Sequence, residues 1–531
     1  MRTSEVLNTI PDNAALMFEF NNDQSFYDIF TGNKLFKTVA GKQQLDDLDS
    51  LRKQLLMDPL TGQYFSGQNI YISIHPLKQG LPGVLLTLSA AKGFSPSVLE
   101  TALKQVNHKM VITTFRQAGK QGYTVYLKNI KKSFFMVLKE NNIFSGSFSR
   151  DLVIQSAQYN SRADKHTFVL LSEQQNANSL ANLYVNYNQL SPLFDALFEN
   201  KNSDIFKSFR LFPGLATLTL NFRSDALMFN GTTNIQKNQA RGYLNIFSNQ
   251  QPVVNHLKDI FPSTMAYGTN FAVSAPIKFS TDLGQWYNKA GLKADEENLF
   301  NKIKTETGSS LKTEFGNLLG NEFAIITTRY FEKFGIVSVN DGSKLSLLLS
   351  AIGINNEVNL SVVQPVKKGK KKNIEVKHKQ AIENPGYFDE NTGQFNYDKI
   401  PFFLLGDAFG VFRRPYFMVI DNYLILANSR KELSSFYDMY INRKFLGKNE
   451  QFNKFDNLMA ERSNVSFFMN FRNAQPILKR DLYPDVYDAI ESAKPGWMDF
   501  YGASWQFAAV DHNFYTNFCL QLSADTAVSK K

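Results

Sequence analysis

Several stretches of the chain alternate between apolar and polar residues, the pattern of a β-strand with one buried face. In the segment 217–222 (Thr-Leu-Thr-Leu-Asn-Phe), the leucines and the phenylalanine share one face, and the threonines and asparagine share the other. Half-buried strands of this kind are typical of antiparallel sheets. Turn residues at 223–225 (Arg-Ser-Asp) and 511–513 (Asp-His-Asn) predict that two strand pairs close as hairpins.

Other stretches follow a helical period. Between residues 45 and 56 the leucines fall on one helical face and the charged residues on the other, and the segment 295–319 behaves similarly. Helical and strand-like segments are mixed without a regular β-α-β rhythm. The pattern therefore predicts an α+β fold with a mostly antiparallel sheet.

Segments of the first half of the chain recur in the second half in the same order. The hairpin pattern at 134–147 has a counterpart at 416–427, and a serine placed to cap a helix follows each, Ser149 and Ser429. Three further segment pairs, which include the proline-started stretches after Ile10 and after Phe261, keep the same order.

This recurrence predicts an internal duplication. We interpret the chain as two tandem α+β units, residues 1–248 and 249–531. The second unit is longer, and an insertion at about 355–399 accounts for the difference.

Composition excludes several classes of protein. With 531 residues, 43% of them apolar and 14% aromatic, the chain has ample material for a folded core, which excludes intrinsic disorder. Cys519 is the single cysteine, which excludes a disulfide scaffold. No secretory signal pattern and no apolar run of about 18 residues is present, so the chain is expected to be soluble as written, and cytoplasmic if Met1 is the true start.

The motifs of common chemistries are missing. The six histidines are widely spaced, and no phosphate-binding glycine loop or G-x-S-x-G motif occurs, so no metal, cofactor or catalytic residue is predicted. Two S-x-x-K matches, at Ser50 and Ser309, are read as solvated helix faces. The recurring residue pairs Asn186/Asn470 and Arg150/Arg430 are read as local backbone and helix-start contacts, with a duplicated binding site as the alternative.

A lysine-rich stretch dominates the net charge. Seven lysines against Glu375 give it a charge of +6, out of +10 for the whole chain. Contact with an anionic membrane surface is one interpretation and a solvated loop is the other. Nucleic acid is a poor candidate because the stretch has no aromatic residue for base stacking. The candidate contact residues are Lys367, Lys368, Lys370, Lys371, Lys372, Lys377 and Lys379.

Residues 10–20 (Ile-Pro-Asp-Asn-Ala-Ala-Leu-Met-Phe-Glu-Phe) resemble the opening of the bacterial domain-of-unknown-function family 3352. The hairpin 416–427 followed by Ser429 is similar to a second pattern of that family. The resemblance implies a cell-envelope protein with a membrane helix ahead of an extracytoplasmic region, and it implies no activity or catalytic residue. Here nine residues precede Ile10, so the expected anchor is missing from this sequence.

Three hypotheses of function follow. The leading one is a non-enzymatic cell-envelope scaffold or interaction protein. The second is a binding protein for a lipid or other apolar ligand held between or within the repeats, suggested by 47 phenylalanines. The third is an enzyme whose site is assembled from residues distant in the sequence.

Overall fold

The computed structural model describes most of the chain. The described residues are 2–40, 42–57, 62–77, 80–105, 110–159, 179–205, 209, 212, 214–235, 242–354 and 392–524. The lysine-rich stretch and most of the predicted insertion lie outside them.

Strands are distributed along the whole described chain. They are β1 (Leu16–Asn21), β2 (Asn69–His75), β3 (Gly83–Ser89), β4 (Met110–Gln117), β5 (Lys120–Leu127), β6 (Lys132–Leu138), β7 (Ile143–Ser147), β8 (Ala181–Asn186), β9 (Gly214–Phe222), β10 (Ala226–Ile235), β11 (Val253–Val254), β12 (Met265–Ala272), β13 (Leu319–Thr328), β14 (Lys333–Val339), β15 (Gly353–Ile354), β16 (Thr392–Phe395), β17 (Tyr416–Ile420), β18 (Tyr423–Ala427), β19 (Arg462–Ser463), β20 (Val465–Asn470), β21 (Phe500–Val510) and β22 (Asn513–Leu522).

Helices are interspersed with these strands. They are α1 (Arg2–Leu7), α2 (Gln24–Gly32), α3 (Lys34–Ala40), α4 (Lys42–Leu51), α5 (Gly62–Phe65), α6 (Pro96–Gln105), α7 (Arg150–Gln158), α8 (Leu190–Leu197), α9 (Pro276–Lys289), α10 (Lys293–Thr307), α11 (Leu311–Leu318), α12 (Gly342–Ile352), α13 (Ile400–Leu405), α14 (Arg430–Ile441), α15 (Glu450–Asp456), α16 (Phe471–Asp481) and α17 (Pro484–Ser492). Shorter 3-10 segments include Tyr243–Asn249, Leu257–Ile260 and Leu446–Lys448, and a π turn spans Arg52–Leu56.

Twenty of the strands form one sheet, and all its described pairings are antiparallel. From edge to edge the order is β4-β5-β6-β7-β3-β2-β1-β8-β9-β10-β22-β21-β20-β12-β13-β14-β18-β17-β16-β15. In the described part of the chain, the combination of helices with a large antiparallel sheet confirms the predicted α+β class.

The strand order of the second half, counted inward from its edge, repeats that of the first half. The two halves meet where β10 pairs with β22, and Asn230 faces Asn517 at the middle of that pairing. This repeated order is what the predicted duplication requires. The duplication itself and the boundary at residues 248 and 249 stay predictions, and one continuous sheet joins both halves.

The two faces of the sheet are covered differently. We call them the Phe20 face and the Glu19 face, after two neighbouring residues of β1. One apolar core runs under both halves on the Phe20 face. On the Glu19 face separate clusters cover the sheet, one around Met17 and a smaller one around Val137 and Val153 in the first half, and one around Met265 in the second. Between the Met17 and Met265 clusters, Asn230 and Thr232 of β10 and Asn517 of β22 are half-exposed polar residues, whereas Met228 and Cys519 of the same strands belong to the Met265 cluster.

Local signals account for several element boundaries. The hairpins predicted at 223–225 and 511–513 are confirmed, because β9 pairs with β10 and β21 with β22. Ser149 and Ser429 cap α7 and α14 by accepting a backbone N–H, as predicted. The helical segment 295–319 is interrupted, since Gly308 adopts a left-handed φ of 76° and ends α10.

Candidate functional site

A line of polar side chains crosses the Glu19 face at right angles to the strands. Each member faces the next across a strand pair, from β7 to β12, and directly paired residues lie on the same face. The line consists of Ser145, Thr87, Tyr71, Glu19, Asn182, Thr219, Asn230, Asn517, Gln506, Ser466 and Asn270. It joins the two halves through their junction.

In the first half this line contains a buried carboxylate whose hydrogen bonds are supplied by its neighbours. Glu19 is 3% exposed. One of its oxygens accepts from the Tyr71 hydroxyl at 2.7 Å and from the Asn69 amide at 2.8 Å. The other accepts from the Tyr184 hydroxyl at 2.6 Å and from the Asn182 amide at 3.4 Å. Several donors therefore share the negative charge, which is the condition under which a buried carboxylate is tolerated.

In the second half the carboxylate and the amide exchange strands. Asn270, on β12, donates to Oε2 of Glu322 on β13 at 2.8 Å. Glu322 also accepts the backbone N–H of His256 at 2.8 Å and that of Leu257 at 3.1 Å. Glu322 is 6% exposed, and within the described chain it forms no ion pair with a lysine or arginine.

A cavity lies above Asn270. It is a small recess that is partly open to solvent, and the space between its lining atoms, counted together with that open solvent, is about 440 Å³. We call it the Asn270 recess. Strands β12, β20 and β21 form its floor, and α15 with the segment 255–261 forms its walls. Its lining comprises Asn255, Lys258, Phe261, Met265, Gly268, Asn270, Phe452, Asp456, Met459, Ala460, Ser466, Phe468 and Gln506.

Two amide oxygens of this lining have no hydrogen-bond donor. Asn270 and Asn255 are each 5% exposed. Their Nδ2 groups donate to Glu322 and to the Ser463 hydroxyl respectively, but neither Oδ1 accepts a hydrogen bond from any residue that the structure describes. A buried acceptor without a donor is costly, by about 1–3 kcal/mol. Both asparagines line the same recess.

The corresponding place in the first half is filled. Positions in the two halves can be matched by counting strands from the junction and residues along the pairing register. By this count, Met17 in the first half is equivalent to Gly268 in the second half. Tyr184 stands in the place of Phe468, and its hydroxyl donates to Glu19. The second half therefore lacks the side-chain volume of Met17 and the hydroxyl group of Tyr184, which together fill the equivalent space in the first half.

Two buried clusters near the first-half sheet contain residue types used in catalysis. In one, Ser73 Oγ lies 2.8 Å from His75 Nε2, and His75 Nδ1 lies 2.8 Å from Asn13 Oδ1. With Nδ1 protonated toward the Asn13 oxygen, Nε2 accepts the Ser73 hydroxyl proton, the order of a nucleophilic triad. Burial lowers the pKa of His75 to about 4, so the ring is neutral at pH 7.

In the other cluster Lys139 Nζ donates to the Thr9 carbonyl oxygen at 2.6 Å and to Ser156 Oγ at 2.7 Å. Burial, together with the nearby charge of Lys120, lowers the pKa of Lys139 to about 7. A neutral lysine beside a serine hydroxyl is chemically a base beside a nucleophile.

Neither cluster is open to a substrate in this structure. Ser73, His75 and Ser156 are 0% exposed. Neither the Asn270 recess nor the second cavity, of about 420 Å³ beside Tyr267 on the Phe20 face, has these residues in its lining. The arrangement can hold the sheet and its helices together, and it offers no approach to a substrate carbonyl.

Three of the four residues that recur as pairs in the sequence, Asn186, Asn470 and Arg430, have local partners. Asn186 Oδ1 accepts the Asn188 N–H at 3.2 Å, and Asn470 Oδ1 accepts the Asn473 N–H at 2.9 Å. Both asparagines therefore cap the helix that follows their strand, as the local interpretation predicted. The Arg430 guanidinium lies 5.8 Å from the centre of the Tyr416 ring at the start of α14.

The S-x-x-K matches bring no catalytic pair together. Lys53 pairs with Asp49 at 2.5 Å, and Lys312 pairs with the buried Glu296 at 2.5 Å. In the described part of the chain no group of three His, Cys, Asp or Glu side chains is placed to hold a metal ion. All seven candidate lysines of the lysine-rich stretch, from Lys367 to Lys379, lie outside the described residues.

Comparison with protein-family models, with curated proteins and with solved structures gave no match. The family resemblance of residues 10–20 and 416–427 therefore stays a prediction. Within the described ranges, no helix is both long enough and apolar enough to cross a bilayer.

Proposed function

We propose that this protein is a non-enzymatic interaction protein and that the Asn270 recess holds part of its partner. The observation that carries the proposal is the pair of unpartnered, buried amide oxygens of Asn255 and Asn270 in one cavity lining. A partner that donates hydrogen bonds there would remove the cost of leaving both acceptors unpaired.

Binding suits this recess better than catalysis. Its lining contains neither histidine nor cysteine, and Ser466 is its one hydroxyl group. The carboxylate in the lining, Asp456, is paired with Lys258 Nζ at 2.6 Å. A nucleophile with an adjacent free base, which acyl transfer needs, is therefore not assembled among these residues.

The apolar-ligand hypothesis draws less support. Its motivation was the phenylalanine content, and many of those rings pack against one another. Phe271, for example, lies 5.4 Å from both Phe247 and Phe323, between ring centroids. Contacts of this kind stabilise a core and account for aromatic residues without a ligand.

The cellular setting remains part of the proposal. A cell-envelope location rests on the family resemblance of residues 10–20 and 416–427. An anionic membrane surface as a second contact rests on the lysines of the lysine-rich stretch.

The test compares partner capture by two variants of the full chain. Ser466→Leu fills the recess, whereas Ser492→Leu makes the same change at an exposed position of α17 outside it. We expect quantitative mass spectrometry to find a host protein that the wild type and Ser492→Leu retain and that Ser466→Leu loses. Equal capture by both variants, or robust turnover by the wild type in a hydrolase and transferase screen, would refute the proposal.

A further inference from the structure

We infer that the Asn270 recess binds a primary alkylammonium group, such as a lysine side chain of the partner or the end of a free amine. The inference rests on the proposed function, because it names the chemistry of what the recess holds.

The acceptors require a donor. Asn255 Oδ1 and Asn270 Oδ1 are both buried in the lining without a partner from the described chain. Their Nδ2 groups are already engaged with Ser463 and Glu322, so the amide groups that remain to be paired in these two lining residues are acceptors. An ammonium group has three N–H donors and no acceptor, and it therefore matches them.

The charge around the recess favours a cation. Lys258 and Asp456 neutralise each other in an ion pair of 2.6 Å. Next to Asn270, the carboxylate of Glu322 is buried, and among the described residues its hydrogen-bond partners are N–H donors without a positive charge. This negative charge polarises the Asn270 amide, whose Nδ2 points to Glu322, and it attracts a positive group placed at the recess.

The walls suit the alkyl stem of such a group. Phe261, Phe452 and Phe468 contribute aromatic rings, and Met265 and Met459 contribute flexible thioethers. Aromatic faces attract cations as well as methylene groups, and methionine adapts to chains of different shape. A hydroxyl or a neutral amide could donate to the two amide oxygens, but it would not be attracted by the negative charge of Glu322.

The experiment titrates the full-length protein with three probes in ligand-observed and protein-observed NMR. n-Butylammonium is expected to bind in the roughly millimolar range, a magnitude typical of so small a ligand. n-Butanol, which has one neutral donor, should bind about tenfold more weakly. Tetramethylammonium, a cation without N–H donors, should bind no more tightly than n-butanol.

Variants tie the binding to the two acceptors. Asn255→Ala should weaken n-butylammonium binding at least about tenfold, and Ser466→Leu should abolish it. Ser492→Leu should leave it unchanged, and thermal melting confirms that each variant is folded. Should Asn255→Ala fail to fold, the comparison of Ser466→Leu with Ser492→Leu still decides.

The inference is overturned if n-butylammonium does not bind, if n-butanol or tetramethylammonium binds equally well, or if folded Asn255→Ala keeps the wild-type affinity. A lysine-containing peptide that binds more tightly than n-butylammonium assigns the group to a protein partner, and a weaker peptide assigns it to a free amine. If the protein does not bind n-butylammonium but Ser466→Leu still loses a partner that Ser492→Leu retains, the amine inference is wrong and the proposed function stands. The two proposals can therefore be refuted independently.

Discussion

Glu19 and Asn270 occupy the same position in the two halves of the sheet, the fourth strand from the junction on the same line of paired residues. In the first half the carboxylate is on this strand and its amide partner, Asn69, is on the next. In the second half the amide is on this strand and the carboxylate, Glu322, is on the next. Each half thus buries one carboxylate–amide pair. Among the described residues, the amide oxygen of Asn69 in the first half has a donor, whereas the amide oxygen of Asn270 in the second half has none.

Replacing Glu19 tests how much the closed pair contributes. Glu19→Gln removes the charge and turns one acceptor into a donor facing Tyr184 or Tyr71, so we expect the free energy of unfolding to fall by about 1–3 kcal/mol. Urea denaturation measures the loss. Glu100→Gln, at an exposed position of α6, is the matched control and should change stability little. Equal stability of the two variants would mean that the hydrogen bonds to Glu19 contribute nothing net.

Much of the fold could be predicted from the sequence because its signals are local. The alternation of apolar and polar residues in 217–222 identifies a half-buried strand, and the turn at 223–225 allows it to pair with the next strand in the chain. Capping serines mark helix starts for the same reason. The single sheet could not be predicted, because the pairing of β10 with β22 joins residues nearly 300 positions apart and has no local signature.

The site was harder to predict than the fold. Asn255, Asn270 and Ser466 are ordinary polar residues in sequence, and only folding brings them to one cavity. The sequence contains one signal: when the proline after Ile10 is aligned with the proline after Phe261, Glu19 and Asn270 fall at equivalent positions of the two halves. This alignment by itself indicates only similar packing in the two halves. That Phe468 replaces the tyrosine hydroxyl of Tyr184 next to Asn270 can be seen only when the cross-strand neighbours are known.

The buried His75 predicts acid sensitivity. Its pKa is lowered from 6.5 to about 4 by burial, so the unfolded chain binds the proton more readily than the folded chain between these values. Its contribution to stability is fully present above pH 6.5 and is lost as the pH falls toward 4, by about 3 kcal/mol. Urea denaturation between pH 7 and 4 should show a steeper loss for the wild type than for His75→Gln. Exposed His512→Gln should follow the wild type, and identical slopes for all three would contradict the assignment.

Lys139 predicts a dependence in the alkaline range. Its pKa is lowered from 10.5 to about 7, chiefly by burial, so the folded state releases the proton before the unfolded state does. Stability from this group is therefore fully present above pH 10.5 and is lost as the pH falls through 7. The difference in unfolding free energy between wild type and Lys139→Met should grow in favour of the wild type by roughly 3 kcal/mol from pH 7 to 10. For exposed Lys431→Met that difference should stay constant, and a constant difference for Lys139→Met would disprove the shift.

Cys519 is predicted to be inert in the folded protein. The thiol is 3% exposed, and burial raises its pKa to about 12, so little thiolate forms at pH 8. An aromatic disulfide reagent should therefore leave the native protein almost unlabelled over hours and label one thiol per chain in denaturant. Rapid stoichiometric labelling without denaturant would show that β22 opens readily at the junction of the two halves.

Gly231 tests the packing of strands at that junction. It lies on β10 beside the Asn230–Asn517 pair, and a Cβ atom at this position would lie 2.1 Å from the backbone oxygen of Thr217 on β9. Because backbone atoms cannot move aside as a flexible side chain can, Gly231→Ala must separate β9 from β10. We expect a loss of about 1–3 kcal/mol in urea denaturation. At Gly447 an added methyl group meets no atom within 4 Å, so Gly447→Ala is the control. If both variants unfold at the same urea concentration, the close approach of the two strands does not constrain the junction.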